Sequence, residues 1–216
     1  DCKDCQNWQL SQSRPEQVRS RYLPPKEVAL AAAAAGCTAI AYTYNEPVIF
    51  YEYMLDCAIE GHKLGVDSVV VTNGYINRQP MLKLLPHVDA IKIDLKGFDE
   101  RFYRRYCEGE LRPVLETIKL VHSKRKWLEI VYLVVPGLNH DPKLIKRMSQ
   151  WLLKNVGPDV PLHFTRFYPH YQLKHLPPTP IKTLEQCREI ARKVGLRFVY
   201  IGNVPGHRYE NTYCPG

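Results

Sequence analysis

Thr38-Ala39-Ile40-Ala41-Tyr42-Thr43-Tyr44-Asn45-Glu46-Pro47 runs from a short apolar strand into a polar loop, and a helical pattern follows from Val48 to Leu64. Strand, polar loop and helix in that order make one βα unit, and the order recurs. Further strand candidates are Val66 to Val71, Ala90 to Asp94, Leu128 to Val134, Leu162 to Phe167 and Phe198 to Ile201. Helical patterns fall between them at Met81 to Leu85, Asp99 to Tyr106, Leu111 to Ser123, Lys143 to Asn155 and Thr183 to Val194. Units repeating every ~25 to 40 residues argue parallel strands joined by right-handed crossovers. The expected fold is α/β, a partial (β/α)6 TIM-like barrel. Ahead of the quoted stretch, Pro24-Pro25-Lys26-Glu27 opens a helix with proline where a missing N–H costs nothing, Ala29 to Ala35 continues it, and Gly36 caps it.

Polar, charged and glycine residues follow the strands in turn. Glu46 comes after the first, Thr72-Asn73-Gly74 after the second, Asp94 and Lys96 at the third, Pro136-Gly137-Leu138-Asn139 after the fourth, Tyr168-Pro169-His170 after the fifth and Gly202-Asn203 after the sixth. Parallel barrels keep their chemistry at this C-terminal rim, although loops are polar for general reasons as well.

Composition narrows the class. The 216 residues, 45% of them hydrophobic, suffice for one domain with a sizeable core, so residues 1–216 are read as a single domain. No apolar run of about 18 residues predicts a membrane span. The net charge of +8 is spread over every helix instead of forming one basic block, which argues against a nucleic-acid site. Seven scattered cysteines, an odd number, suit reduced cytoplasmic thiols. Cys37, Cys57, Cys107 and Cys187 sit singly in helical or strand positions, where a small buried hydrophobe is the default.

Two cysteines differ. Asp1-Cys2-Lys3-Asp4-Cys5-Gln6-Asn7-Trp8 brings two sulfurs together two residues apart, the spacing that presents thiolates to zinc or an iron-sulfur cluster. One pair is an incomplete site, so further ligands lie elsewhere, and a zinc knuckle or a redox motif stays open on the pair alone. A redox motif wants a helix starting at the cysteines, whereas Pro15, Pro24 and Pro25 predict irregular chain until a helix begins near Lys26. Asp94 and Lys96, two residues apart at the end of Asp89-Ala90-Ile91-Lys92-Ile93-Asp94-Leu95-Lys96, share a face. The plain reading of that pair is an ion pair, and that of Glu46 a charge favoured at a helix N-terminus.

Together these motifs resemble the radical S-adenosylmethionine (SAM) superfamily. Cys-x2-Cys-Gln-Asn-Trp is similar to the end of its C-x3-C-x2-C cluster motif. Tyr42 to Pro47 resembles its glycine-glycine-glutamate-proline segment, with Asn45 replacing a glycine. Asp94-Leu95-Lys96 and Val71-Thr72-Asn73-Gly74 resemble segments of the glycyl-radical activating enzymes, although Val71 replaces their usual acid. With Gly202 to Gly206 and Glu210-Asn211-Thr212-Tyr213-Cys214-Pro215-Gly216, the pattern fits the AmmeMemoRadiSam system branch, related to pyruvate formate-lyase activating enzyme.

The resemblance implies a barrel of the radical SAM type whose first strand and first cluster cysteine precede Asp1, and a cysteine-bearing tail starting within residues 207–216. It implies that Cys2 and Cys5 ligate a 4Fe-4S cluster. Asn45 and Glu46 would hold the amino group of SAM, Asp94 the ribose and Lys96 the carboxylate. Thr72 or Asn73 would substitute by hydrogen bonding for the acid absent at Val71, and one of His163 and His170, with His170 beyond the strand end the better placed, would face the adenosine. The implied reaction is reductive cleavage of SAM to a 5′-deoxyadenosyl radical that takes hydrogen from a substrate. The implied partners are a flavodoxin- or ferredoxin-type electron donor and AMMECR-like and Memo-like proteins. A glycyl-radical activase and a non-enzymatic zinc protein using Cys2, Cys5 and Cys214 stay open as alternatives.

Overall fold

The computed structural model describes residues 2–213. In chain order the elements are α1 (Trp8–Ser11), α2 (Pro25–Ala34), β1 (Ala39–Tyr42), α3 (Tyr51–Lys63), β2 (Asp67–Thr72), α4 (Arg78–Leu84), β3 (Ala90–Asp94), α5 (Glu100–Phe102), α6 (Leu111–Ser123), β4 (Trp127–Val134), α7 (Pro142–Val156), β5 (Leu162–Arg166), α8 (Ile181–Val194) and β6 (Val199–Gly202). The six strands form one parallel sheet in sequential order, β1-β2-β3-β4-β5-β6, the α/β partial barrel expected from the βα rhythm. Sequential order with parallel pairing puts every strand's C-terminal end, and the loop that follows it, on one rim.

Alternation along the strands separates two faces. Val70, Ile91, Ile93, Leu128, Ile130, Tyr132, Leu162, Phe164, Val199 and Ile201 are buried and share a core with Met54, Ile118, Val121, Ile145, Met148, Leu152 and Leu184 of the helices. The other, concave face carries Val69, Val71, Lys92, Asp94, Glu129, Val131, His163 and Tyr200, all half-buried. Amphipathic α6, α7 and α8 each bury one stripe, as the 3.6-residue period predicts. No helix among the described residues is long and apolar enough to cross a membrane.

Local structure departs from the sequence expectations in four places. Asp99 to Tyr106 is not one helix: Asp99 caps the single turn α5 by accepting from Phe102 N–H at 3.1 Å, and a wider π-helical turn, Tyr103–Cys107, follows and ends at Glu108 in the left-handed region. Such widened turns re-aim side chains and recur at functional sites. The helix read from Val48 begins as a tighter 3-10 turn, Pro47–Phe50, before α3. A one-turn helix, α1, starts three residues after Cys5, upstream of the expected first helix. Finally, Cys57 and Cys187 are core hydrophobes as expected, but Cys37 is exposed and Cys107 is half-buried at the rim. Cys214 lies outside the described residues.

Candidate active site

The cysteine loop lies across the rim. Cys5 N–H donates to Cys2 C=O at 3.1 Å, closing a turn that carries both sulfurs. Lys3 N–H donates to Tyr106 C=O at 2.9 Å, and Gln172 N–H donates to Lys3 C=O at 3.3 Å, so the loop is laced to the chain after β3 and after β5. Trp8 stacks on Tyr171 with centroids 5.7 Å apart, and the Lys174 ammonium sits 5.5 Å over the Trp8 ring. Cys5 Sγ lies 3.8 Å from Ser11 Oγ. A hydrogen bond from the Cys107 thiol, helped by the Lys96 charge and opposed by burial, holds Cys2 below the usual thiol range, and the same bond with burial raises Cys107.

Lys96 is enclosed by anions. Its ammonium donates to Asp94 Oδ2 at 3.0 Å, and Asp4 and Cys2 add further negative charge. Burial opposes the ammonium, yet these neighbours keep it protonated well above the ordinary lysine range. Asp4 is 4% exposed. The Oδ1 atoms of Asp4 and Asp94 are buried and have no hydrogen-bond partner among the described residues. A buried acceptor left unmet costs ~1–3 kcal/mol, so both oxygens are set for donors that a ligand would bring. The Lys96 backbone is pinned as well: its N–H donates to the Tyr103 hydroxyl at 3.2 Å and its C=O accepts from Asn139 Nδ2 at 3.0 Å.

Glu46 caps the turn Pro47–Phe50, accepting from Val48 N–H at 3.3 Å, but it does more than cap. Its Oε1 also accepts from the Thr72 hydroxyl at 2.5 Å and its Oε2 from Asn73 N–H at 2.7 Å, tying the first rim loop to the second. Burial raises its carboxyl, and these three bonds oppose the rise. Thr72 Oγ1 accepts in turn from Gly74 N–H at 3.1 Å. Gly74 has φ +72°, and a Cβ there would stand 3.0 Å from Ile93 Cγ2, so glycine meets two demands at once.

A cavity of about 250 Å³ opens between these groups, lined by Cys2, Glu46, Asn73 and Lys96 together with Tyr103 and Cys107. Thr72 and Asp94 stand behind that lining, bonded to Glu46 and Lys96. Asn45 is exposed beside Glu46, and Cys5 and His170 are not part of the lining. An adjoining cavity of about 440 Å³ shares Val48 and Tyr75 but offers one carboxylate, Glu52, and neither thiol nor ammonium, so the smaller one is the candidate site. Sequence reading passed over two residues of its lining, Tyr103 and Cys107, and two that act on Lys96 from behind it, Asp4 and Asn139. Asp4 sat unremarked inside the cysteine loop, Asn139 was read as part of a turn, and Tyr103 and Cys107 were hidden by reading their π-helical turn as ordinary helix.

A family model described as the Radical SAM superfamily matches residues 1–148. The chain is 45% identical over 214 residues to an uncharacterized protein of Methanocaldococcus jannaschii, an alignment covering 99% of this chain and 63% of that protein. It is 24% identical over 181 residues to pyruvate formate-lyase 1-activating enzyme of Escherichia coli, covering 78% and 72% of the two chains. Among solved structures, a domain of pyruvate-formate lyase-activating enzyme from Bacteroides vulgatus superposes with TM-score 0.65 at 19% identity, covering 76% of this chain and 98% of that one.

Proposed function

The chain belongs to the radical SAM superfamily, and from that premise we propose that its rim cavity binds S-adenosylmethionine beside a 4Fe-4S cluster and that the enzyme cleaves it reductively to start radical chemistry on a substrate. One observation carries the reading: a loop thiol, a caged ammonium and a multiply bonded carboxylate line a single hollow. The residues fit the groups. The C-x2-C turn offers two thiolates of a three-thiolate set, and the two partnerless carboxylate oxygens match the hydroxyl and ammonium donors of SAM. Among the described residues no three His, Cys, Asp or Glu converge as a complete metal site, so the reading requires a further ligand from outside them.

When bound, the cluster and SAM supply an electron and a carbon-centred radical able to abstract hydrogen. The chain's residues bind and orient. Cys2 and Cys5 would hold the cluster iron. Glu46, locked by Thr72 and Asn73, accepts from the ligand ammonium beside Asn45. Asp94 accepts from ribose hydroxyls and Lys96 meets the carboxylate. His170 is retained only as a rim group on the adenosine side. Residues 1–216 act as one domain, in the cytoplasm, served by a flavodoxin- or ferredoxin-type donor. The AmmeMemoRadiSam branch, with its AMMECR-like and Memo-like partners, rests on the sequence motifs alone. Similarity to an activating enzyme favours a glycyl-radical substrate, whereas Val71 in place of the acid disfavours it. The zinc alternative would draw on Cys214, which lies outside the described residues.

The test is anaerobic reconstitution of the full-length protein with iron and sulfide, reduction with SAM present, and assay for 5′-deoxyadenosine. Product that disappears in Cys2→Ala and Cys5→Ala is expected. Bound zinc with no cluster absorption and no product would overturn the proposal.

A further inference from the structure

The concave face of the sheet carries a second polar group that the rim site leaves unused. Lys92 lies on the same face as Asp94, two residues earlier on β3 and so about 7 Å deeper into the barrel. Lys92 pairs in register with Glu129, Val131 with His163, and His163 with Tyr200, which sets Lys92, Glu129, His163 and Tyr200 in one band across four strands. All four are half-buried.

The bonding within this band is uneven. Both carboxylate oxygens of Glu129 are engaged: Oε1 accepts from Trp127 Nε1 at 2.9 Å, and Oε2 meets His163 Nε2 at 2.8 Å. The hydrogen bond from His163 holds Glu129 below the usual carboxylate range. The imidazole is fixed from its flat side too, stacked on the Tyr200 ring at 4.9 Å and 21°. Glu129 and Tyr200 thus orient His163 and leave its Nδ1 without a partner among the described residues. The Lys92 ammonium makes no side-chain hydrogen bond or close ion pair with any described residue; its charge reaches Glu129, whose two oxygens are bonded to Trp127 and His163. A half-buried ammonium whose charge has no hydrogen-bonded acceptor among the described residues suits an oxyanion, and the imidazole beside it adds a donor at Nδ1 whenever the ring holds a proton on both nitrogens.

We propose that Lys92 and His163, with Tyr200 as backing, form a subsite in the barrel lumen for a carboxylate or phosphate group of a small-molecule substrate. Lys92 supplies the charge, an anion bound beside it brings its own proton or one from solvent to the free Nδ1 of His163, and Glu129 holds the ring in place through Nε2 without touching the ligand. The subsite lies one pleat repeat below Asp94, so a substrate anchored there extends its far end toward the rim cavity. Its role as a substrate subsite rests on the radical SAM reading; its capacity to bind an anion does not.

The experiment is an NMR titration of the full-length protein, histidine-labelled, with inorganic phosphate and separately with malonate, against chloride at matched ionic strength. His163→Gln assigns the imidazole signal. A saturable shift of that signal is expected with at least one of the two anions, weakened roughly tenfold or more in Lys92→Met and kept in Lys92→Arg, whose retained response shows an intact fold. Phosphate and malonate together distinguish a phosphate substrate from a carboxylate one. No saturable shift with either anion, or a shift that survives Lys92→Met, overturns the subsite. A shift at His163 in a protein that makes no 5′-deoxyadenosine would overturn the radical reading and leave the anion site standing.

Discussion

Replacing Asn139 with alanine should loosen the rim more than any exposed rim substitution. Asn139 is 1% exposed. Its Oδ1 accepts from Val135 N–H at 2.7 Å, and its Nδ2 donates to Leu133 C=O at 2.8 Å and Lys96 C=O at 3.0 Å. One side chain therefore joins the end of β4 to the residue that carries the caged ammonium. Asn139→Ala removes three bonds and leaves one N–H and two C=O groups unmet. At about 1 kcal/mol net per bond the loss is ~3 kcal/mol. For a domain of this size each kcal/mol moves Tm by ~2–4 °C, so the variant should melt ~6–12 °C lower by circular dichroism. Asn139→Asp sharpens the test. It retains the acceptor for Val135 N–H but sets a buried carboxylate against two carbonyl oxygens, so at neutral pH it should be at least as destabilising as alanine and should recover as acid protonates it. An alanine variant melting within about 2 °C of wild type would refute the idea that this side chain holds the rim together.

Three further outcomes are expected. A Cβ on Gly97 would stand 2.5 Å from Phe102 Cδ1, and that ring is buried against Tyr106 at 5.1 Å, so Gly97→Ala should cost ~1–3 kcal/mol; an unchanged melt would mean the turn yields freely. Glu46→Gln should weaken SAM binding, measured by calorimetry, roughly tenfold or more. Because burial holds the Glu46 carboxyl above the usual range, and only the ionised form attracts the ligand ammonium, wild-type affinity should decline as pH falls through that raised value; a wild-type profile parallel to that of the glutamine variant would exclude Glu46 as the ammonium's partner. Asp89, although burial works against its charge, is held below the usual carboxylate range by bonds from Ser68 N–H and His62. Its contribution is present above its unfolded pKa and is lost as pH falls through the lower folded value. With the carboxylate 41% exposed, Asp89→Asn should cost under about 1 kcal/mol at neutral pH, a difference that vanishes in acid; a difference that grows in acid would contradict this.

The βα order, the single sheet and the rim were legible in the chain because each rests on local pattern. Alternation at Ala90 to Asp94 sets a strand with two unlike faces, proline and glycine mark helix ends, and parallel strands linked by helices leave few topologies. Glu46, Asn73, Asp94 and Lys96 were legible as candidates because each sits in a short motif at or just past a strand end, and Cys2 because of its spacing from Cys5. Legibility stopped where partners are distant in sequence. Nothing in Asp4 announces that its charge acts on Lys96, nor in Asn139 that it reaches the same lysine's carbonyl, because such neighbours depend on register and on how loops fall over the rim. The Tyr103–Cys107 turn was read as ordinary helix since its spacing of apolar residues satisfies that pattern equally, while the wider turn is selected by packing Tyr103 beneath Lys96 and Cys107 against Cys2. The sequence by itself thus determined the βα order and the chemical types at the rim. Only the tertiary structure decided which of those groups share a charge, which acceptors stand without donors, and that a lysine and a histidine 71 residues apart lie in one band of the concave face, because those facts belong to strand register and burial.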